Sequence, residues 1–223
     1  MFSLGSIRGT TIHVDFSFLI LIVFFVAANY RPNLGIQFAL LWIPVVFVSV
    51  LVHELAHATA IGLFGYGSSH VVLGGMGGVT VNDRKARPWH DMVISLAGPV
   101  SSFILAAVMY VLAVRVAFVQ NDPMMREFAP RMLWANLFWG VFNLIPVAPL
   151  DGGHAVRNFF RSFLSEQQAF VIAVWIGMLG GAAAAVVAAV IFRQIFIAAF
   201  LAWFVFVNFQ KWQTFKRQGY PED

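Results

Sequence analysis

The chain has 223 residues, 60% of them hydrophobic and 11% charged, with a mean hydropathy of +0.80. A soluble domain runs near about 45–50% apolar and 25% charged, so this composition excludes an ordinary soluble protein and indicates a multi-spanning integral membrane protein. Net charge is +4 and cysteine is absent; disulfides, iron–sulfur clusters and thiolate metal sites are excluded, and any metal must be held by His, Asp or Glu.

Charge-poor runs set the expected spans, because a helix crossing the hydrocarbon needs about 20 apolar residues. The first run, 16–30, follows Arg8, His13 and Asp15 and lacks a small-x-small cleavage site. It reads as a retained span, not a signal peptide. The second, 36–64, is interrupted only by His53, Glu54 and His57. The segment 65–91 is too short for an independent domain. Within it, Val71 to Val81 places two β-branched runs around a cluster of glycines (Gly74, Gly75, Gly77 and Gly78), which predicts a hairpin or re-entrant loop. Further spans are expected at 92–114, 132–150, 167–192 and 194–210, with the last two divided by Arg193 alone and able to form one long bent element. The expected fold class is an all-α polytopic membrane protein, a single domain over 1–223 with about six transmembrane helices.

Lys and Arg orient the spans. With an even number of spans, one side carries Arg8, Arg84, Lys85, Arg87, Arg157, Arg161, Lys211, Lys216 and Arg217; the other carries Arg31, Arg115, Arg126, Arg131 and Arg193. The nine-to-five excess places both termini in the cytoplasm of a multi-pass cell-membrane protein. No stretch mixes basic and aromatic residues at the density of a nucleic-acid surface, so no nucleic-acid partner is expected.

The chemistry concentrates in His53-Glu54-Leu55-Ala56-His57. On a helix, positions i and i+4 share a face, so both imidazoles can bind one metal while the intervening Glu reaches a bound water. Charged and imidazole groups inside a lipid-spanning helix are costly unless they function. Hydrolytic zinc uses three protein ligands, and Glu127, Glu166 and Glu222 stand in no ligand motif. Asp151 is the candidate third ligand, the alternative being a loop cap. It lies in Asn143-Leu144-Ile145-Pro146-Val147-Ala148-Pro149-Leu150-Asp151-Gly152-Gly153, where two prolines prevent a regular helix and two glycines permit a sharp turn. Irregular backbone at membrane depth is tolerated where it is buried or lines a wet cavity. His13, His70, His90 and His154 fit interfacial or solvated positions, with His154 the best placed to be an exception.

These two motifs resemble those of the site-2 protease family, the intramembrane zinc metalloproteases of peptidase family M50. The family pattern pairs HExxH with Asn-x-x-Pro-x-x-Pro-x-Leu-Asp-Gly, which Asn143, Pro146, Leu150, Asp151 and Gly152 match in order. Leu73-Gly74-Gly75 looks like the family's membrane-associated β-loop, and Ala97-Gly98-Pro99 resembles its AGP motif, with Ser102 where an Asn often follows. The resemblance implies one Zn2+ per chain held by His53, His57 and Asp151, and Glu54 as the catalytic acid–base. It also implies hydrolysis within or near the transmembrane segment of a membrane-protein substrate. By the same resemblance Asn143 touches substrate or the developing oxyanion; the alternative is that it satisfies the broken backbone around it. The hairpin with Gly74 and Gly75 is either a strand-accepting clamp for unwound substrate or a structural turn, and Gly98-Pro99 serves close helix packing. PDZ and CBS modules are absent from the sequence, so regulation is expected from partner membrane proteins. The competing readings are a membrane metal-ion transporter, a membrane-anchored zincin with a soluble active site, and a catalytically inactive regulatory relative.

Overall fold

The computed structural model describes residues 1–7, 9–33 and 35–218. Arg8, counted above for orientation, and Glu222, weighed as a ligand, lie outside the described residues. In chain order the elements are β1 (Phe2–Ile7), β2 (Thr10–Val14), α1 (Phe16–Ala28), α2 (Ile36–Leu40), α3 (Trp42–Leu63), β3 (Ser69–Gly74) and β4 (Gly77–Asn82). There follow α4 (Pro88–Arg115), α5 (Ala117–Asn121), α6 (Pro123–Asn143), α7 (Asp151–Arg161), α8 (Glu166–Val190) and α9 (Ile195–Gln218). The chain forms two compact units, residues 1–85 with 97–141, and residues 86–96 with 142–223.

The first unit is built on a four-stranded sheet in the order β1-β2-β3-β4, with β1/β2 and β3/β4 antiparallel and β2/β3 parallel. The expected hairpin is β3 and β4, turning at Gly75-Met76 with Gly77 at φ +116°, a value that favours glycine. It is, however, half of a larger sheet. The sequence reading left the residues before α1 without structure, because a five-residue strand containing Thr and His is invisible to a search for apolar runs. A lone hairpin is marginal in stability; β2 supplies the neighbour, burying Ile12 with Val71 and Leu73 against Phe18 of α1 and Val46, Val50 and Ala58 of α3. Asp15 caps α1 through the Ser17 amide (2.9 Å), and the Ser17 hydroxyl accepts from the Gly75 amide (2.9 Å), which fixes the hairpin turn to the start of α1. A second cluster joins Val45, Met109, Ala129 and Met132 of α3, α4 and α6.

The second unit holds the first turns of α4 together with α7, α8 and α9. Ser165 and Gln168 form a reciprocal capping box at the start of α8. The chain reverses at Arg193, whose φ is +54°, and α9 returns along α8: Trp175 meets Trp212 and Phe170 meets Phe215. The last two expected spans are therefore separate helices. Arg161 of α7 pairs with Glu166 and with Asp91 (3.8 Å).

Four helices are long and apolar enough to cross a membrane: Ile36–Leu63, Pro88–Arg115, Glu166–Val190 and Ile195–Gln218. Two expected spans depart from this. α1 is 13 residues, about 20 Å at 1.5 Å per residue, against a hydrocarbon core of about 30 Å. α6 carries Arg126, Glu127 and Arg131 and stops at Asn143, because Pro146 and Pro149 forbid its continuation to residue 150.

Candidate metal centre

His53, Glu54 and His57 lie on α3 and are buried, at 2%, 4% and 7% exposure. The imidazoles stand one turn apart with ring centroids 5.0 Å from each other. Opposite them in the same unit is α4. A methyl group built on Gly98 would fall 2.5 Å from His53 Nε2, and closer still to His57 Nε2. Both Nε2 atoms therefore face the place that this glycine leaves open, and the spacing is that of an ion bound at about 2.0–2.1 Å by each. The donor set suits zinc: two imidazole nitrogens in an apolar helix, with no thiolate in the chain. One turn along α4 from Gly98, buried Ser102 shares a 3.0 Å hydrogen bond with His53 Nδ1. Thus an i, i+4 pair on α4 answers the i, i+4 pair of histidines on α3: Gly98 keeps space, and Ser102 orients a ring.

Glu54 turns toward the sheet. Thr80 of β4 donates its hydroxyl to Glu54 Oε2 (2.7 Å) and stands 3.1 Å from the Glu54 carbonyl oxygen. A Cβ on Gly78 would lie 2.5 Å from Glu54 Cδ and Oε1, so only glycine lets β4 approach the carboxylate this closely. β4 is an edge strand, and its free backbone edge runs beside the acid–base candidate.

The structure places Gly74 and Gly75 elsewhere in the hairpin, against α1: a Cβ on Gly75 would lie 3.0 Å from Ser17 Cβ. The hairpin residues that reach Glu54 are Gly78 and Thr80, which the sequence did not single out. Thr80 looked like any β-branched strand residue, and Ser102 was noted only as a departure from a motif. Their helical and strand spacing was legible; their partners were not.

Asp151 and Asn143 belong to the second unit. Asp151 is the first residue of α7, half-buried, and Asn143 is the last of α6. The intervening loop folds tightly over the start of α7, with Val147 fully buried and Leu150 amide to Val147 carbonyl at 2.9 Å. A Cβ on Gly152 would meet the Leu144 and Ile145 carbonyls, and one on Gly153 would lie 2.5 Å from the Ala148 nitrogen. The glycine pair after Asp151 is thus demanded by close packing rather than by a left-handed turn. The loop is held from outside as well. A Cβ on Gly180 of α8 would lie 2.7 Å from Pro146, and Asn208 of α9 donates to the Ala148 carbonyl (2.7 Å). Asn208 was missed by the sequence reading, since an Asn near the end of a last span carries no motif. Among the other histidines, His70 sits on the sheet between Thr11 Oγ1 (2.6 Å) and Asp83 (3.2 Å).

Comparison with known proteins follows this geometry. The family model described as Peptidase M50B-like matches residues 17–120, and the one described as Peptidase family M50 matches 117–187. Rip3 of Mycobacterium tuberculosis is 30% identical over 95% of this chain and 58% of its own length. Zinc metalloprotease MJ0392 of Methanocaldococcus jannaschii is 29% identical over 78% of this chain and 50% of its own. The chain thus spans between half and three-fifths of the length of these relatives. The solved structure of the site-2 protease from Methanocaldococcus jannaschii superposes with a TM-score of 0.63 at 22% identity, covering all of this chain and 96% of the other. That likeness establishes the site-2 protease fold.

Proposed function

The chain belongs to peptidase family M50, the site-2 protease family, and on that footing we propose that it is an intramembrane zinc metalloendopeptidase acting as one catalytic domain over 1–223. The observation that carries this reading is the pair of buried imidazoles whose Nε2 atoms converge on the space in front of Gly98, with Glu54 beside them, in a helix apolar enough to cross a membrane. His53, His57 and Asp151 are the proposed zinc ligands, Asp151 by its place in the Asn143–Gly153 motif. When bound, zinc supplies a Lewis acid that activates water and polarises a peptide carbonyl.

The protein's own groups do the rest. The neutral His53 ring carries its proton on Nδ1, toward Ser102, which presents Nε2 as the donor. Glu54 takes a proton from the attacking water and delivers it to the leaving amine, with the Thr80 hydroxyl holding one carboxylate oxygen. A helical substrate hides its carbonyls in i→i+4 bonds, so it must unwind; the free edge of β4 accepts it as an added strand, with Gly74 and Gly75 shaping the turn. Asn143 is the proposed contact to substrate or oxyanion. The substrate is a transmembrane protein in the lipid bilayer, regulated by partner membrane proteins, and both termini face the cytoplasm of the cell membrane.

A transporter would use ligand pairs along a path, whereas the buried histidines of α3 form one pair with an adjacent carboxylate. The decisive experiment compares wild type and Glu54→Gln for zinc content, substrate capture and fragment formation. The variant is expected to keep zinc and bind substrate while losing proteolysis by about 10²–10⁴-fold, the usual worth of a general base. Cleavage near the wild-type rate would overturn the mechanism.

A further inference from the structure

Within the first unit, α1, α3 and α6 enclose a cavity of about 260 Å3 lined by Phe25, Trp42, Val46, Ser49, Ala135 and Trp139, among others. Its walls are almost wholly apolar and aromatic. An engineered cavity of about 150 Å3 admits benzene, so this one has room for a phenyl or indole group.

Two contacts join it to the catalytic residues. Ser49 stands one turn before His53 on the same face of α3, 1% exposed. Trp139 lies against the hairpin turn, where a Cβ on Gly77 would be 3.3 Å from its ring. Three residues further along β4 is Thr80, bonded to Glu54. An extended segment laid on the β4 edge therefore passes from Glu54 to the cavity in about 10 Å, at about 3.3 Å per residue.

A third observation separates a peptide from a lipid tail. Behind Ser49 stands Asn136, 0% exposed, whose Nδ2 donates to Ser49 Oγ (2.9 Å) and to the Met132 carbonyl (2.8 Å). Its Oδ1 is buried and has no hydrogen-bond partner among the described residues. A buried acceptor left unpaired is costly. An unwound peptide brings N–H donors to it; an acyl chain brings none.

We infer that this cavity is a specificity subsite, taking one large apolar side chain, aromatic by preference, from the substrate segment within about three residues of the bond held at Glu54. Ring-lined walls favour an aromatic guest through edge-to-face contacts. The inference rests on the protease reading above and names a feature of its substrate.

The test uses a synthetic single-span Ala/Leu peptide carrying benzoylphenylalanine at one position at a time, photo-crosslinked to the full-length Glu54→Gln protein in detergent. Expected are crosslinks to Trp42 and the Ala135–Trp139 segment from one or two adjacent peptide positions. Filling the cavity with Ala135→Leu should cut that yield at least tenfold, while crosslinks to Thr80 from neighbouring positions persist. Trp134 also lines the cavity and is exposed, so Trp134→Ala is a second variant that keeps the buried packing; it should broaden the set of productive positions. Equal labelling from every position, or yields unmoved by both variants, would overturn the inference. So would a photoactivatable phosphatidylethanolamine that labels the cavity and is not displaced by the peptide. Binding is read on a non-cleaving variant. Absence of fragments from the wild-type protein would therefore sink the protease reading while leaving the subsite result standing.

Discussion

Gly98 and Ser102 act on the same histidine pair by opposite means, one through the space it leaves and one through the bond it makes. Gly98→Ala would put a methyl group where both Nε2 atoms converge. The variant is expected to fold yet purify with little zinc, measured by metal analysis; full occupancy would show that the ion sits elsewhere. Gly62 provides the contrast, being a helical glycine of α3 with nothing within 4 Å of a built Cβ. Gly62→Ala should leave zinc untouched and stabilise the protein by about 0.5–1 kcal/mol, the ordinary helix preference of Ala over Gly. Ser102→Ala removes the oxygen partnered with His53 Nδ1. Loss of such an outer partner costs about 10–100-fold in metal affinity, so chelator competition should show weaker zinc binding, and Ser102→Asn, which restores a hydrogen-bonding group, should recover part of it.

At the scale of elements, the loop that carries Asp151 owes its shape to two neighbouring helices. Asn208 of α9 gives its amide to the Ala148 carbonyl, and Gly177, Gly180 and Gly181 of α8 let Pro146 and Val147 approach. Asn208→Leu leaves that carbonyl unpaired in a buried place, which costs about 1–3 kcal/mol. The expected result is a lower midpoint in thermal unfolding in detergent, with reduced zinc retention because Asp151 is no longer held. An unchanged midpoint would mean that the glycine face of α8 suffices. The hairpin follows the same logic in the first unit. Its turn is tied to α1 through Ser17 and Gly75, and its edge strand to α3 through Thr80 and Glu54.

For the whole molecule, the proposed orientation puts both termini and the segment 65–87 on the cytoplasmic side. Four or six crossings give the same result, since either number is even. Topology reporters fused after Gly65 and at the C-terminus check it; finding either outside the cell would overturn the charge argument. The molecule-wide role of the second unit is tested by Asp151→Ala. It should lower zinc occupancy as well as proteolysis, whereas Asp151→Glu should keep part of both. Full zinc in the alanine variant would mean another ligand, with His154 the first to examine.

Composition alone determined the membrane class, because so high an apolar fraction cannot be hidden from water by a chain this small. The metal motif was equally legible: His53 and His57 four residues apart must share a helical face whatever surrounds them. The glycine-separated β-branched runs at 71–81 announced the hairpin. Three things waited for the tertiary structure. The strands Phe2–Ile7 and Thr10–Val14 have no apolar run to betray them and exist because β3 offers them an edge. The first and fourth expected spans proved too short or too interrupted, since hydropathy counts apolar residues but does not see where a helix ends at Asn143. Gly78, Thr80, Gly98, Ser102 and Asn208 reveal their roles only through partners far away in sequence. Local periodicity reports which face a residue occupies; it carries no information on what the fold brings against that face.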